Sequence, residues 1–462
     1  MAWDFTTEPE FQEKLDWMDT FVREEIEPLE VLAQSVYVQP KGALKELIYQ
    51  LKQEVRDRDL WACHLDPELG GQGYGQLKLA LMNEILGRAQ WAPTIFGTAA
   101  PDTGNAEIIA AYGTPAQKER WLQPLLEGEV ASCYSMTEPQ GGADPTTFRC
   151  RAERDGDEWV INGEKFFSSN LSMSSFIIVM CVTNPDISPY QGMSMLLVPS
   201  DTPGINVLHD IGHQGQPFGE GQHAHVRYEN VRVPYENLLG GEGKAFEVAQ
   251  RRLGGGRIHH AMRAVASAKR YFDMMCERAI SRETKGTLLA EKQMVQEQVA
   301  DSWIAIQQFR LLVLYTAWLI DQSSTREARQ YIAACKVKAA EVLSDIHYKS
   351  MHLHGALGIS NLMPFDGSLS GSMGIMDGPS EVHKVTIATQ ALKGYRPAEG
   401  LWPSAFRPRT LLNHRREFDA MVARRLPDPA AQAEVLDYVQ GGPAGDDAVK
   451  RFEAYLDATA NY

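Results

Sequence analysis

From Phe11 to about Glu127 apolar residues return every three or four positions, as in "FQEKLDWMDTFV" and "LKLALMNEILGRA". That spacing lays one apolar stripe along a helix, so the stretch is expected to be all-helical. After "EGEVASC" the pattern changes to short β-rich runs separated by turn residues: "FRCRAER", "EWVI", "EKFFSS", "FIIVMCVT", "GMSMLLVPS" and "HAHVRYENVRVP". Such runs read as strands. Within "WVINGEKFF", Asn162-Gly163 between two of them predicts a type I′ hairpin turn. Helical spacing returns beyond "LLGGEGKAF", with Ile258, Met262, Val265, Phe272, Met275 and Ala279 on one face, and long helical patterns follow over 290–320 and 326–356. Four antiparallel helices joined by short loops would bury such faces. From Pro397 the chain becomes Pro- and Arg-rich, then offers two short helical stretches. The predicted fold is mainly α with a central β domain. It has an all-helical domain over 1–127, a middle β-barrel over 128–241, a four-helix bundle over 242–396 and a helical extension over 397–462.

Composition narrows the partners. A chain of 462 residues exceeds one typical core, in keeping with several domains. With 44% hydrophobic and 23% charged residues, it has the balance of a soluble globular protein. Forty-five Lys and Arg against 60 Asp and Glu give a net charge of -15, which opposes nucleic-acid binding but allows a small polyanion in a local basic pocket. The N-terminus is acidic and lacks an apolar run, and "LLVLYTAWLI" falls short of the ~20 residues that span a bilayer. Neither a leader nor a membrane partner is expected, and a cytoplasmic location is. The cysteines at 63, 133, 150, 181, 276 and 335 form no CxxC pair, so neither a metal site nor a disulfide framework is expected.

Three stretches carry candidate chemistry. In "IMDGPSEVHK", residues 375–384, Pro379 suits the first turn of a helix and Asp377 just ahead of it can cap free amides; the same carboxylate can serve as a base. "CYSMTEPQGGADP", residues 133–145, sits at the junction of helical and β patterns and taken alone reads as a surface turn. His259 and His260 have no metal-like spacing and read as pocket lining or core.

Taken in order, "LDPELGGQGYG", "YGTPAQKERWLQPLLEGE", "CYSMTEPQGGADP", "WVINGEKFFSSN", "ENVRVPYENLLGGEGKAF", "LGGGRIHHAMR", "HLHGALGIS" and "DGPSEVHK" resemble the acyl-CoA dehydrogenase family from about residue 10 to 395. The wording is most similar to the branch with Asp-Gly-Pro where most members have Glu-Gly-Thr. The resemblance implies FAD and an acyl-CoA thioester meeting between the domains. It also implies a homodimer or homotetramer and transfer of electrons to an electron-transfer flavoprotein. It assigns Asp377 as the base for the α-proton, with Ala143, Arg257 and Gly378 on the substrate side. For the flavin it implies Tyr134, Met136 and Thr137 along the ring, then Phe167 in place of the usual Trp and Ser169 in place of a Thr. Arg282, Gln293, His352, Gly355, Pro379 and Glu381 belong to the segments that hold the rest of FAD. Arg282 would reach the pyrophosphate of a neighbouring subunit, a task suited to a bidentate guanidinium.

The chain departs from the family pattern at several of these positions. Ala143 replaces a CoA-contacting Ser, Lys285 a Phe and His352 a Gln. Core packing for Phe167, a solvated helix face for Arg282 and a helix-dipole contact for Glu381 stay open from the residues alone. Some relatives place the base one residue before the Arg of the first bundle helix; that position is Gly256, which can take no proton. The competing functions are an acyl-CoA-oxidase-like or nitroalkane-oxidase-like flavoprotein, and a non-catalytic scaffold that binds FAD or acyl-CoA. The second of these oxidases also uses Asp but has Arg seven residues on, where this chain has Lys384.

Overall fold

The computed structural model describes residues 5–32, 36, 40–63, 65, 67, 71–213, 216–365, 367–398, 401–442 and 444–459. The chain divides into two compact units, Met1–Ala388 and Thr389–Tyr462.

The first unit begins with helices that include Pro9–Phe21, Gly42–Arg56, Gly75–Leu86 and Asp102–Tyr112. Their three-and-four spacing turns Phe11, Leu15, Met18, Ile48, Leu51, Val55, Leu79, Met82 and Leu86 into one buried core. Each such side chain contributes roughly 1.5–3 kcal/mol by leaving water. The Gly75–Leu86 helix has no cap of its own. Its first amides, at Gln76 and Leu77, donate to the Asp321 carboxylate at 2.7 and 2.9 Å, which ties it to a helix more than 240 residues away.

Among the described residues the β domain has eight strands: β1 (Ser132–Ser135), β2 (Arg151–Asp155), β3 (Glu158–Ser169), β4 (Phe176–Val182), β5 (Met193–Pro199), β6 (Ile205–Ile211), β7 (His223–Pro234) and β8 (Leu238–Leu239). They run in the order β6-β7-β3-β1-β4-β5-β8, with β2 pairing both β3 and β4. Because β1 also pairs both β3 and β4, these four strands close a ring. Almost every residue of β4 and β5 is buried, so these two read as continuous apolar runs rather than as alternating strands.

The expected turn at Asn162-Gly163 is overturned. Both residues lie inside the continuous strand β3, and the chain reverses instead around Gly156, between β2 and β3. At Gly163 the pairing with β7 slips by a bulge, φ is +139°, and an added Cβ would lie 2.6 Å from the Cys150 Cα. The glycine is there for close approach of backbone, one of the two reasons a strand keeps one.

Three long helices follow: Ala245–Ser281, Gln293–Gln322 and Arg329–Leu353, here the first, second and third bundle helices. A shorter one, Ser380–Leu392, packs on the third through Gln330 to the Ile387 carbonyl and Lys384 to Glu341. Ile258, Met262 and Val265 are fully buried, with Ile306, Phe309, Val313, Ile332, Leu343 and Ile346 in the same core. The second bundle helix is long and apolar enough by composition to cross a membrane, but one of its faces is in this core. The second unit holds three helices rather than two short stretches: Arg407–Arg425, Pro429–Gln440 and Asp446–Thr459. Arg415 ties the first of them to the third through Asp446 and the Ala444 carbonyl, with Asp419 on its own helix, and Trp402 stacks on Phe406 with Tyr455 tilted against them.

Gly163→Ala should lower stability by about 1–3 kcal/mol, since the new methyl group meets backbone that cannot yield. Urea unfolding followed by circular dichroism checks this; an unchanged midpoint would mean that β2 and β3 can part at that point.

Candidate active site

The loop before the Ser380–Leu392 helix is where the candidate base is held. Asp377 has φ +54° and Gly378 φ +102°, two successive left-handed residues of which only the second is glycine. Such a conformation at Asp is strained and persists only where surroundings impose it. Three contacts impose it here. The Ser380 amide donates to the Gly374 carbonyl at 2.9 Å, Arg257 Nε donates to the Asp377 carbonyl at 3.2 Å, and His260 Nε2 lies 3.2 Å from Asp377 Oδ2. A Cβ at Gly378 would come within 3.0 Å of His383 Nε2. Pro379 precedes the first helical residue instead of occupying the first turn, and the Asp377 carboxylate is paired with an imidazole rather than with helix amides.

The surroundings of Asp377 are cationic. Burial pushes its carboxyl group up, but the hydrogen bond and charge of His260, with Arg252 and Lys336, outweigh burial and hold it below the usual carboxylate range. Lys336, on the third bundle helix, is 1% exposed and donates from Nζ to the Met373 carbonyl at 2.8 Å. Burial pushes this amine down to about 8, Asp377 acting against the shift and Arg257 with it. His383 is driven down to about 4 by burial, then by Arg257 and Lys336, so its ring stays neutral. Gly256 faces open space, with nothing within 4 Å of an added Cβ.

Arg252 connects this loop to the β domain. Its guanidinium lies 3.8 Å from the centroid of the Tyr134 ring, and its Nε donates to Asn105 Oδ1 at 3.0 Å. Asn105 in turn bonds the Ser132 hydroxyl, which donates to the Asp102 carboxylate at 2.6 Å. The helix Asp102–Tyr112, strand β1 and the first bundle helix are thereby joined by one polar chain. Burial pushes the Tyr134 phenol up to about 12, so it remains a neutral donor.

Beside Tyr134 lies an open face made by β1 and β3. Tyr134 pairs with Ser169, and the Phe166 amide donates to the Thr137 carbonyl at 2.8 Å. Phe167 has φ +58° and is 49% exposed, its ring edge-on to Phe166 and His223. Core packing does not describe it. Ser169 Oγ is 2.8 Å from His223 Nδ1. Underneath, Lys165 Nζ lies 2.8 Å from both Glu138 Oε1 and the Met136 carbonyl, in a fully buried pair. Glu138 also accepts from the Arg149 and Cys150 amides at 2.6 and 3.0 Å. This pair fixes the 136–138 and 165–167 segments to each other.

The remaining candidates are elsewhere and mostly exposed. Ala143 is on the surface loop after Glu138, and Gln293, His352, Gly355 and Glu381 are exposed at helix ends. Arg282 is the exposed residue after the first bundle helix, 22 residues beyond His260, or ~33 Å along the axis. Its own chain does not bring it to Asp377. Four groups were not read as site residues from the sequence: His260, Arg252, Lys336 and the Glu138–Lys165 pair. The spacing of Arg252, Gly256, Arg257 and His260 on one helix was the available signal.

Three family models cover this arrangement in order: acyl-CoA dehydrogenase N-terminal domain over residues 8–129, middle domain over 133–231 and C-terminal domain over 243–392. The chain belongs to the acyl-CoA dehydrogenase family. Among its relatives in that family is the protein named "Probable acyl-CoA dehydrogenase FadE2" of Mycobacterium tuberculosis. It is 41% identical over 353 residues, 75% of this chain and 86% of that protein. "Acyl-CoA dehydrogenase family member 11" of Rattus norvegicus is 36% identical over 83% of this chain, which spans 50% of that protein's length. A solved structure from Mycobacterium abscessus superposes with a TM-score of 0.79 at 36% identity, over 85% of this chain and 100% of that one. Within that fold the Asp377 carboxylate is near enough to Tyr134 for its charge to act on the phenol, and Arg252 of the first bundle helix lies on the Tyr134 ring.

Lys165→Met should cost about 3–5 kcal/mol, because Glu138 is then left buried without its counter-charge, on neutral donors alone. Adding Glu138→Gln to it should recover part of that loss. Chemical denaturation of the two variants measures this, and equal stability of Lys165→Met and wild type would mean that the pair carries no structural weight.

Proposed function

We propose that this chain is an FAD-dependent acyl-CoA dehydrogenase of the Asp-Gly-Pro branch. It would convert an acyl-CoA thioester to the trans-2-enoyl-CoA, with Asp377 taking the α-proton and an electron-transfer flavoprotein receiving the electrons. The observation that carries the reading is the Asp377 carboxylate itself. It is held on a strained loop, bound on its main chain by Arg257, and near enough to Tyr134 for its charge to act on the phenol. A base must be held in place and partly out of water, and the contacts of this loop support that role.

The residues of the open face fit a flavin. The Phe167 ring is half-exposed, Thr137 lies between the Met136 carbonyl and Glu138, both bonded by Lys165, and Tyr134 and Ser169 lie side by side on paired strands. A flat, polar-edged ring needs an apolar face and edge donors of this kind. Thr137 and Ser169 would hold its edge, Phe167 its face, and Arg282 the pyrophosphate of a second subunit. FAD, when bound, supplies the acceptor for the β-hydride. Removing the α-proton is the part this chain's own residues perform. Arg257 keeps the loop in place, Arg252 and Lys336 favour the ionised carboxylate, and the helices exclude water.

Two further observations bear on the alternatives. Lys384 pairs with Glu341 at 3.7 Å on an exposed surface, away from Asp377, which disfavours the nitroalkane-oxidase-like reading. Trp303, Ile304, Leu311 and Tyr315 are exposed along the second bundle helix, an apolar face suited to a second copy in a homodimer or homotetramer.

Asp377→Asn should leave the protein folded and yellow but slow anaerobic flavin bleaching by a substrate acyl-CoA by ~10²–10⁴-fold or more. Bleaching at the wild-type rate would remove Asp377 from the base role, and absence of bleaching by any acyl-CoA in the wild type would favour the scaffold. Arg282→Ala should weaken FAD retention by tens to thousands of fold, the usual result of truncating one partner of a desolvated ion pair. Unchanged FAD content after gel filtration would make Arg282 a surface charge.

A further inference from the structure

The hydroxyl of Ser169, placed above on the edge of the flavin, is loosely held by its own side chain. An unbranched serine turns among three staggered positions, and its hydrogen points wherever an acceptor is found. A threonine at the same place would be stiffened by β-branching. Ser168, on the opposite face of β3, has no such freedom: its hydroxyl is buried 2.7 Å from Ser135 Oγ, which in turn meets the Tyr228 hydroxyl. Ser169 is only partly buried, and among the described residues its hydroxyl has one hydrogen-bond partner, His223 Nδ1 at 2.8 Å.

His223 is well placed to supply the missing constraint. It opens β7 and pairs with Ser169 across the ladder, and its ring stands edge-on to Phe167 and His213, 5.9 Å from each. Burial, then the charge of His213, drives its imidazole down to about 4, so at neutral pH the ring carries a single N–H. Gln222 settles which nitrogen holds that hydrogen. Its Nε2 lies 3.3 Å from His223 Nε2 and 3.2 Å from His213 Nε2, so its two hydrogens are given one to each ring. With His223 Nε2 accepting, the ring hydrogen stands on Nδ1 and points at Ser169. The reverse orientation of the amide would put both N–H hydrogens at the buried position where Oε1 has no partner. Two orphaned donors cost more than one under-used acceptor. The remaining histidines of this face are engaged elsewhere, His225 on Glu164 at 3.0 Å and His209 against Phe218.

We infer that His223 is a positioning residue that fixes the direction of the Ser169 hydroxyl toward the flavin. The inference rests on the reading of Ser169 as a flavin contact. Gln222 donates to His223, His223 donates from Nδ1 to Ser169 Oγ, and Ser169 keeps its own hydrogen for an acceptor on the edge of the bound ring. Donors in such a chain polarise one another in the same sense, and the last of them is the strongest for it. A fixed donor aimed where electron density will rise favours the reduced form of the ring over the oxidised one. His223 therefore acts on the flavin through one oxygen atom, without itself needing to touch it.

The test reads the flavin rather than turnover. In the FAD-loaded protein, Ser169→Ala should make reduction of the flavin ~10-fold less favourable, a midpoint potential about 30 mV lower for a two-electron couple. His223→Phe keeps a ring in place and removes the donor; it should lower the midpoint in the same direction, by ~3–10-fold in that equilibrium. In the Ser169→Ala background His223→Phe should add nothing, whereas a role in packing alone would give the same shift with or without the hydroxyl. Ser169→Thr introduced together with His223→Phe should recover most of the lost potential, because branching then holds the hydroxyl without the imidazole. An unshifted midpoint in His223→Phe, or an equal shift in both backgrounds, would overturn the inference while leaving the flavin site intact. An unshifted midpoint in Ser169→Ala would instead remove Ser169 from the flavin, and the inference with it. Retained FAD and an unchanged circular dichroism spectrum exclude misfolding, and His223→Leu repeats the measurement with less volume where the Phe variant does not fold.

Discussion

The close crossing of two helices at Gly87 and Arg263 is the constraint on which the rest of the molecule depends. An added Cβ at Gly87 would lie 2.6 Å from the Arg263 Cα and 2.7 Å from the Ala266 Cβ, so the end of the Gly75–Leu86 helix sits directly on the first bundle helix. Around that point the contact is closed by polar bonds. Arg263 donates to Asn83 and to the Thr98 carbonyl, Ser267 to the Gly87 carbonyl, and Lys269 to Glu84. The 37-residue helix so anchored carries Arg252, Arg257 and His260 toward its N-terminal end. His260 and Arg257 lie within about two helical turns of Arg263, so the register set at the crossing is also the register of the site.

Charge is distributed by the same logic. The Asp377 carboxylate stands among three cations, Arg252, Arg257 and Lys336, each held by an acceptor: Asn105 for the first, and the Asp377 and Met373 carbonyls of one segment for the other two. Cations without such acceptors would not stay buried. The Glu138–Lys165 pair repeats the arrangement under the β1 and β3 face, where the carboxylate also takes two backbone amides. Both devices turn polar groups into rigid supports for the residues that face the ligands.

The helical and β regions were legible because their periods differ, and the order of motifs identified the Asp377 loop. Other features depended on contacts that no local pattern carries. His260 looked like lining because its partner is 117 residues away, and an imidazole next to a second histidine has no spacing that distinguishes the partner of a carboxylate from a filler. Lys336, within "CKVKAA", carries no local signal of burial; its amine is bonded by the Met373 carbonyl of the 373–377 segment, more than thirty residues on. Asn162-Gly163 has the composition of a hairpin turn, but the close approach of Cys150 explains the glycine just as well, and only the strand pairing distinguishes the two.

The central claim is that the base stands at Asp377, opposite the Tyr134 strand. A crystal structure with FAD and a non-reacting acyl-CoA thioester tests it most directly. The account predicts an Asp377 carboxylate oxygen within about 3.5 Å of the α-carbon, on the side of the acyl chain away from the flavin and still paired with His260. An α-carbon lodged against another residue, with Asp377 turned away or held on the helix amides, would contradict it.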